Sequence, residues 1–182
     1  MRNGDKYMTN QCGMVRVIEY FNKHNVQIEF VNTGCVRTAR ADSIRNGQVK
    51  DPLMPSVYGI GFIGQGEYKS TVNYKYTPEY LRWQAMMRRC YSSASRHENK
   101  SYADCTVCVE WHDFQHFAEW YHSTYPGGDD EWHLDKDILI LGNREYSPHS
   151  CMWVTRQQNA SHANGTMTEA ERREVIGSSG VW

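Results

Sequence analysis

Two aspartates flank a lysine in an otherwise apolar stretch of the chain, as Asp135, Lys136 and Asp137. In a regular strand the two aspartates point to one face and the lysine to the other. Paired carboxylate oxygens on one face are typical ligands of Mg²⁺ or Mn²⁺. Charges in a buried strand are also tolerated when they pair with one another, so an Asp–Lys–Asp network explains the same pattern. Both interpretations stay open from the residues alone.

Cysteines form a second candidate site. Cys105 and Cys108 have the two-residue spacing that lets both sulfurs reach one tetrahedral ion. Cys90 and Cys151 could supply the second pair and complete a structural Zn²⁺ site. The alternative is that all four are small buried apolar side chains, as free cysteines often are.

A basic stretch between residues 69 and 97 is the third candidate. It carries six lysines and arginines against one acid, Glu79, and several aromatic residues lie between them. Lys and Arg contact phosphates, and aromatic rings stack on bases. A cationic helix face that is only solvated is the alternative. The candidate nucleic-acid contacts are Lys69, Lys75, Arg82, Arg88 and Arg89.

The composition limits the class of protein. The 182 residues include 20 Lys+Arg and 21 Asp+Glu, a net charge of −1, which excludes a uniformly basic coat protein. The longest aliphatic run, residues 138–141, is far shorter than the roughly 20 residues that span a bilayer. No apolar stretch follows the N-terminus, so we expect a cytoplasmic protein with no membrane partner and with reduced cysteines.

The first third of the chain has the pattern of strands. Val26, Ile28 and Phe30 alternate with polar residues, which is the period of a half-buried strand. We predict a small SH3-like β-barrel over residues 1–52. The glycines and prolines of residues 53–76 indicate a linker, and the apolar residues between them indicate that it is packed down.

Helical patterns begin at Thr77, which could cap a helix that starts with Pro78. A second helix is predicted over residues 111–121, and a strand, a turn and a second strand over 132–154. Residues 77–165 are therefore predicted to form an α+β domain, and 166–182 a charged, flexible tail. The predicted buried face of the first helix contains Tyr80, Trp83, Met87 and Cys90.

The residues between about 57 and 160 resemble a known family. The quoted elements are the run Tyr80–Tyr91, then Val107–Trp111 with Phe114, Phe117 and Trp120, then Leu134–Leu139, Gly142-Asn143, Tyr146-Ser147-Pro148 and Cys151. In this order they resemble bacteriophage HNH (His-Me finger) proteins related to homing endonucleases. Many members carry a C-terminal Apetala-type DNA-binding domain, whose opening is similar to residues 172–182, so we expect that domain to be absent or truncated here.

The resemblance implies a fold and a set of roles. An HNH core of ββα type holds one divalent ion between two strands and a helix, and a histidine on the first strand acts as general base. On that template Asp135, Asp137 and Asn159 would hold Mg²⁺ or Mn²⁺. Lys136 stands at the base position, where His133 could substitute. Asn143 would be the middle asparagine, so the implied catalytic residues are Asp135, Lys136, His133 and Asn143.

The resemblance also implies a function. We expect a phage protein that acts in the host-cell cytoplasm, binds double-stranded DNA and nicks or cleaves it with a divalent metal. A lysine serves as base near neutral pH only if its pKa is lowered, whereas flanking aspartates raise it. The alternative is therefore a catalytically inactive, nuclease-derived module that binds DNA or a host protein.

Overall fold

The computed structural model describes residues 1–98 and 102–178, which divide into two compact units. The N-terminal unit contains residues 1–55 and 62–65, and the C-terminal unit contains 56–61 and the residues from 66 onward. The described chain is mixed α+β, as predicted, with six α-helices and several small sheets. The predicted linker, residues 53–76, is shared between the two units.

The N-terminal unit is built on an antiparallel sheet of four consecutive strands. Val26, Ile28 and Phe30 are fully buried and alternate with less buried polar neighbours, which confirms the predicted strand. The sheet does not close, because a barrel requires the first and last strands to pair and here they lie at opposite edges. The predicted SH3-like barrel is thus an open sheet. Its elements are β1 (Lys6–Met8), β2 (Met14–Asn22), β3 (Asn25–Phe30), β4 (Val36–Ala39) and the short helix α1 (Ala41–Arg45).

The C-terminal unit begins with a hairpin and two packed helices. Pro78 occupies the first helical position of α2, and Tyr80, Trp83, Met87 and Cys90 are buried along one face, as predicted. Thr77 makes no capping bond, because its hydroxyl donates to the carbonyl of Lys69 instead. The elements are β5 (Thr71–Val72), β6 (Lys75–Tyr76), α2 (Pro78–Tyr91), α3 (Ser93–Glu98), β7 (Thr106–Val107), a 3-10 turn (Val109–His112) and α4 (Phe114–Thr124).

The predicted second helix begins later than expected. Asp113 caps α4 by accepting from the backbone N–H of Gln115. Trp111 therefore lies in the preceding 3-10 turn, where it is fully buried and its carbonyl accepts a 2.7 Å hydrogen bond from the indole of Trp83. This bond joins α2 to the entrance of α4.

Three further strands and a helix make up the part of the C-terminal unit that positions the site. Two strands pair antiparallel, with Asp135 opposite Met152 and Trp132 opposite Thr155. Thr155 then caps the following helix in a reciprocal box with Gln158. The elements are β8 (Trp132–Asp135), β9 (Glu145–Tyr146), which pairs with β7, β10 (Met152–Thr155) and α5 (Arg156–Ala163).

The segment predicted to be a flexible tail is folded in its described part. Residues Glu169–Ser178 form helix α6, and Val175 is buried against a small apolar cluster of Ile138, Met152 and Val154. Arg172 donates a 2.7 Å hydrogen bond to the carbonyl of Ile138. The predicted tail residues 179–182 lie outside the described residues.

None of the helices in the described ranges combines the length and apolar character that crossing a membrane requires.

Candidate metal centre

Three potential metal ligands converge where β8 ends and α5 packs beside it. Asp135 is the last residue of β8, Asp137 follows in the loop, and His162 lies in the last turn of α5. One ligand atom from each residue lies within 4.8 Å of the other two. Two carboxylates and an imidazole are a donor set that suits a divalent cation such as Mn²⁺.

Asp135 is held in place by the backbone that follows it. Its Oδ1 atom accepts hydrogen bonds from the N–H groups of Asp137 and Ile138, at 2.9 and 2.7 Å. The residue is only 7% exposed, and burial raises the pKa of its carboxyl above the usual range although the two N–H donors act in the opposite direction. A buried carboxylate with an oriented oxygen is pre-arranged to meet a cation.

Asp137 is shared between two basic side chains. Its Oδ2 atom lies 3.0 Å from the Nζ atom of Lys136, and its Oδ1 atom lies 3.4 Å from Nε2 of His162. Lys136 is 6% exposed, and its ammonium lies 5.9 Å from the ring centroid of Tyr146. The ion pair between Asp137 and Lys136 forms one half of the Asp–Lys–Asp network that the sequence left open, because Asp135 bonds to backbone N–H groups instead. Lys136 competes with any metal ion for Asp137.

Asn143 supports the loop rather than the reacting centre. Its amide nitrogen donates to the carbonyls of Lys136 and Glu145, at 2.7 and 2.6 Å, and its oxygen accepts from the N–H of Glu145. Both ends of the side chain are therefore bonded to backbone. The Asn143 side chain therefore fixes the conformation of the loop that carries Asp137.

His133 and Asn159 contact each other. The Nδ1 atom of His133 lies 3.3 Å from the amide nitrogen of Asn159. The Nε2 atom of His133 is buried and forms no hydrogen bond within the described residues, although a carboxylate oxygen of Glu131 lies 3.5 Å away. Asn159 lines the cavity described below, whereas His133 does not. His162, which the sequence reasoning missed, lies one helical turn beyond Asn159, so the spacing of three on α5 was the available signal.

A cavity of about 400 Å³ opens over these groups. Asp135, Asp137 and His162, which we call the acidic cluster, line this cavity. It is also lined by two arginines, Arg89 and Arg144, and by the phenols of Tyr102 and Tyr146. Carboxylates that can hold a cation and guanidinium groups that can bind phosphate thus share one cavity.

Arg89 connects this cavity to a neighbouring one of about 560 Å³. Its guanidinium carbon lies 5.8 Å from the ring centroid of Tyr102, and the side chain bonds to Tyr146. Arg88 lines the second cavity and is exposed. Two of the five predicted nucleic-acid contacts therefore lie beside the candidate centre.

The other three predicted contacts lie elsewhere in the C-terminal unit. Lys75 lies on β6 and Lys69 just before the hairpin, and both are exposed. Arg82, on α2, is half-buried and near enough to Tyr121 to lower the pKa of that phenol, against a larger opposing effect of burial.

The four cysteines proposed for zinc do not converge. No three of them have sulfurs within ligating distance of one another among the residues that the structure describes. None of the four forms a disulfide within the described residues. Cys90, Cys105 and Cys151 are buried, and Cys108 is half-buried. Burial raises the pKa of the Cys108 and Cys151 thiols, which disfavours the thiolate that zinc requires. Their surroundings match the alternative of small buried apolar side chains.

Comparisons of the chain with models of protein families, with curated proteins and with solved structures find no match. The function is therefore inferred from the geometry of the residues described above.

Proposed function

We propose that this chain is a DNA-binding protein with an HNH-like ββα core, and that its acidic cluster binds Mg²⁺ or Mn²⁺ and supports nicking of DNA. The observation that carries the proposal is the convergence of Asp135, Asp137 and His162 in a cavity that also contains arginines. The two antiparallel strands followed by a capped helix support the resemblance, because that order is the one an HNH core requires.

The residues of the cavity divide the work of holding a phosphodiester. Asp135, Asp137 and His162 would ligate the cation, and Arg89 and Arg144 would orient the non-bridging phosphate oxygens. Such a cation lowers the pKa of a bound water and stabilises negative charge on the leaving oxygen. Asn143 maintains the loop that carries Asp137.

Neither residue proposed as general base is placed to act as one. The Nζ atom of Lys136 is held in an ion pair with Asp137, 3.0 Å from its Oδ2 atom. His133 does not line the cavity and contacts Asn159. We therefore expect nicking to be slow compared with a centre that has a histidine base, since general-base catalysis contributes about 10²–10⁴-fold.

The Lys136–Asp137 ion pair favours a second candidate function. In this alternative the lysine takes the place of the metal, and the core is an inactive module that binds DNA or a host protein. The two candidates differ in whether the acidic cluster is needed for chemistry or only for folding.

Supercoiled plasmid incubated with Mg²⁺ or Mn²⁺ separates the candidates. We expect slow relaxation by the wild-type chain and none by Asp135→Asn, which keeps an oxygen for the two backbone N–H donors. Asp104→Asn, which changes one acid outside the cluster, is the matched control. Plasmid that stays supercoiled with every metal, while a salt-sensitive gel shift persists, supports the inactive DNA-binding module. Absence of a shift at low salt leaves a protein partner.

A further inference from the structure

The β5–β6 hairpin presents the most exposed aromatic side chain among the described residues. Tyr74 is wholly exposed at the tip, and Val72 and Tyr76 beside it are 49% and 58% exposed. Exposed apolar side chains that are grouped together point to an interaction surface, whereas isolated ones do not.

The backbone of the tip is held in an uncommon conformation. Thr71 pairs with Tyr76 and Val72 with Lys75, which leaves Asn73 and Tyr74 as a two-residue turn with φ values of +49° and +61°. Positive φ at both positions is the type I′ turn, in which Asn suits the first position and Gly the second. A tyrosine at the second position is disfavoured for folding and buries no surface, so the fold does not explain it.

Two lysines belong to this part of the chain: Lys75 directly follows Tyr74, and Lys69 lies at the base of the hairpin. Lys69 and Lys75 are exposed, and residues 68–77 contain no acid. Neither lysine forms a salt bridge within the described chain. Lysines beside an exposed aromatic ring match the phosphates and bases of a nucleic acid.

The base of the hairpin is fixed to the start of α2. The rings of Tyr76 and Tyr80 lie 5.1 Å apart, and the Thr77 hydroxyl donates to the carbonyl of Lys69 at 2.9 Å. Tyr80 is buried in the core of the unit. The tip is therefore presented on a rigid support, which lowers the entropic cost of using it for binding.

We propose that the hairpin of residues 71–76 is a nucleic-acid wedge, in which Tyr74 stacks against or between DNA bases while Lys69 and Lys75 contact neighbouring phosphates. The inference rests on the proposed function for the identity of the partner. It requires neither the divalent cation nor cleavage.

The test measures binding of the full chain to a DNA duplex that contains 2-aminopurine, in the presence of EDTA. We expect binding by the wild type to change the 2-aminopurine fluorescence. Tyr74→Ala should weaken binding by about 5- to 140-fold, since stacking on one base contributes roughly 1–3 kcal/mol, and should abolish the fluorescence change. Tyr74→Phe should behave as wild type, and Lys75→Ala should reduce the salt slope of log K by about 1.

Tyr74→Gly separates folding from binding. Glycine suits a positive φ, so the melting temperature should stay the same or rise while DNA affinity falls as in Tyr74→Ala. Val109→Ala, which truncates an 82%-exposed apolar residue outside the hairpin, should change neither quantity.

Wild-type affinity and an unchanged fluorescence response in Tyr74→Ala and Tyr74→Gly would overturn the wedge. So would a wild-type chain that binds no duplex at low salt. Plasmid nicking is scored separately, so a chain whose binding depends on Tyr74 but which never nicks supports the wedge while the cleavage proposal fails.

Discussion

The ammonium of Lys136 lies 3.0 Å from Oδ2 of Asp137, so a cation of the chain itself already neutralises one carboxylate of the candidate metal centre. The second carboxylate, Asp135, is held by backbone N–H groups and has no comparable partner among the ion pairs of the described residues. Cation affinity at this centre should therefore depend on both the competing lysine and the ionisation of Asp135.

Removal of the competing ammonium should strengthen cation binding. We expect Lys136→Met to bind Mn²⁺ about tenfold more tightly, which corresponds to roughly 1.4 kcal/mol, because Asp137 loses its internal counter-ion. Isothermal titration with Mn²⁺ measures the change. Lys75→Met removes the same charge on the exposed hairpin and should have no effect. Weaker binding by Lys136→Met would mean that the lysine organises the centre instead of competing with the cation.

Ionisation of Asp135 should link folding to pH. Because burial raises the pKa of this carboxyl in the folded state, its charged form opposes folding at neutral pH. The contribution of Asp135 to the free energy of unfolding should therefore increase as the pH falls through its raised pKa. It should become constant below the pKa of about 3.9 that the carboxyl has in the unfolded chain. Denaturant unfolding of wild type and Asp135→Asn, without metal, measures it as the difference between the two pH profiles. Parallel profiles would contradict the raised pKa.

The same ionisation sets the pH dependence of cation binding. A metal ion requires the carboxylate, so Mn²⁺ affinity should begin to fall at a higher pH than an ordinary aspartate would allow. Mn²⁺ titrations at several values between about pH 8 and pH 5 should show this loss of affinity. The variant His162→Gln separates the histidine contribution, because its remaining pH dependence comes from the carboxylates.

Helix α6 should stabilise the loop that carries Asp137 through one arginine. Arg172 donates to the carbonyl of Ile138, directly after Asp137, and its side chain is 19% exposed. We expect Arg172→Ala to lower the free energy of unfolding by about 1–3 kcal/mol and to weaken Mn²⁺ binding. Arg173→Ala is the matched control, because Arg173 is 77% exposed and, among the described residues, forms an ion pair with Glu169 alone. Its effect should stay below about 0.5 kcal/mol.

Loss of the Asn143 side chain should affect folding and cation binding together. Its amide bonds to the carbonyls of Lys136 and Glu145 hold the loop closed. Asn143→Ala should lower the free energy of unfolding by about 1–3 kcal/mol and weaken Mn²⁺ binding. A variant of normal stability and normal Mn²⁺ affinity that fails to nick would instead give Asn143 a direct part in catalysis.

Local patterns predicted much of the fold. The alternation of Val26, Ile28 and Phe30 and the helical spacing of Tyr80, Trp83 and Met87 each report which face is buried, and those faces are buried. Barrel closure could not be predicted in this way, since it depends on whether β1 and β4 meet. Residues 166–173 have a helix-prone but charged sequence, and the prediction of a flexible tail did not foresee that Val175 is buried and holds helix α6 in place.

The candidate site could be predicted only in part, because local patterns do not report tertiary contacts. Asp135 and Asp137 are neighbours in sequence, so their proximity required only the local chain. His162 reaches them through the pairing of β8 with β10 and the turn into α5, and that geometry is set by tertiary contacts. Asn143 shows the converse, because its residue type matched the template while its hydrogen bonds are all to backbone.

The central claim, that Asp135, Asp137 and His162 bind one divalent cation, is tested most directly by electron spin-echo spectroscopy of bound Mn²⁺. We expect one saturable Mn²⁺ per chain with coupling to an imidazole nitrogen. That coupling should disappear in His162→Gln and persist in His133→Gln. Absence of saturable binding, or a nitrogen coupling that survives in His162→Gln, would contradict the claim.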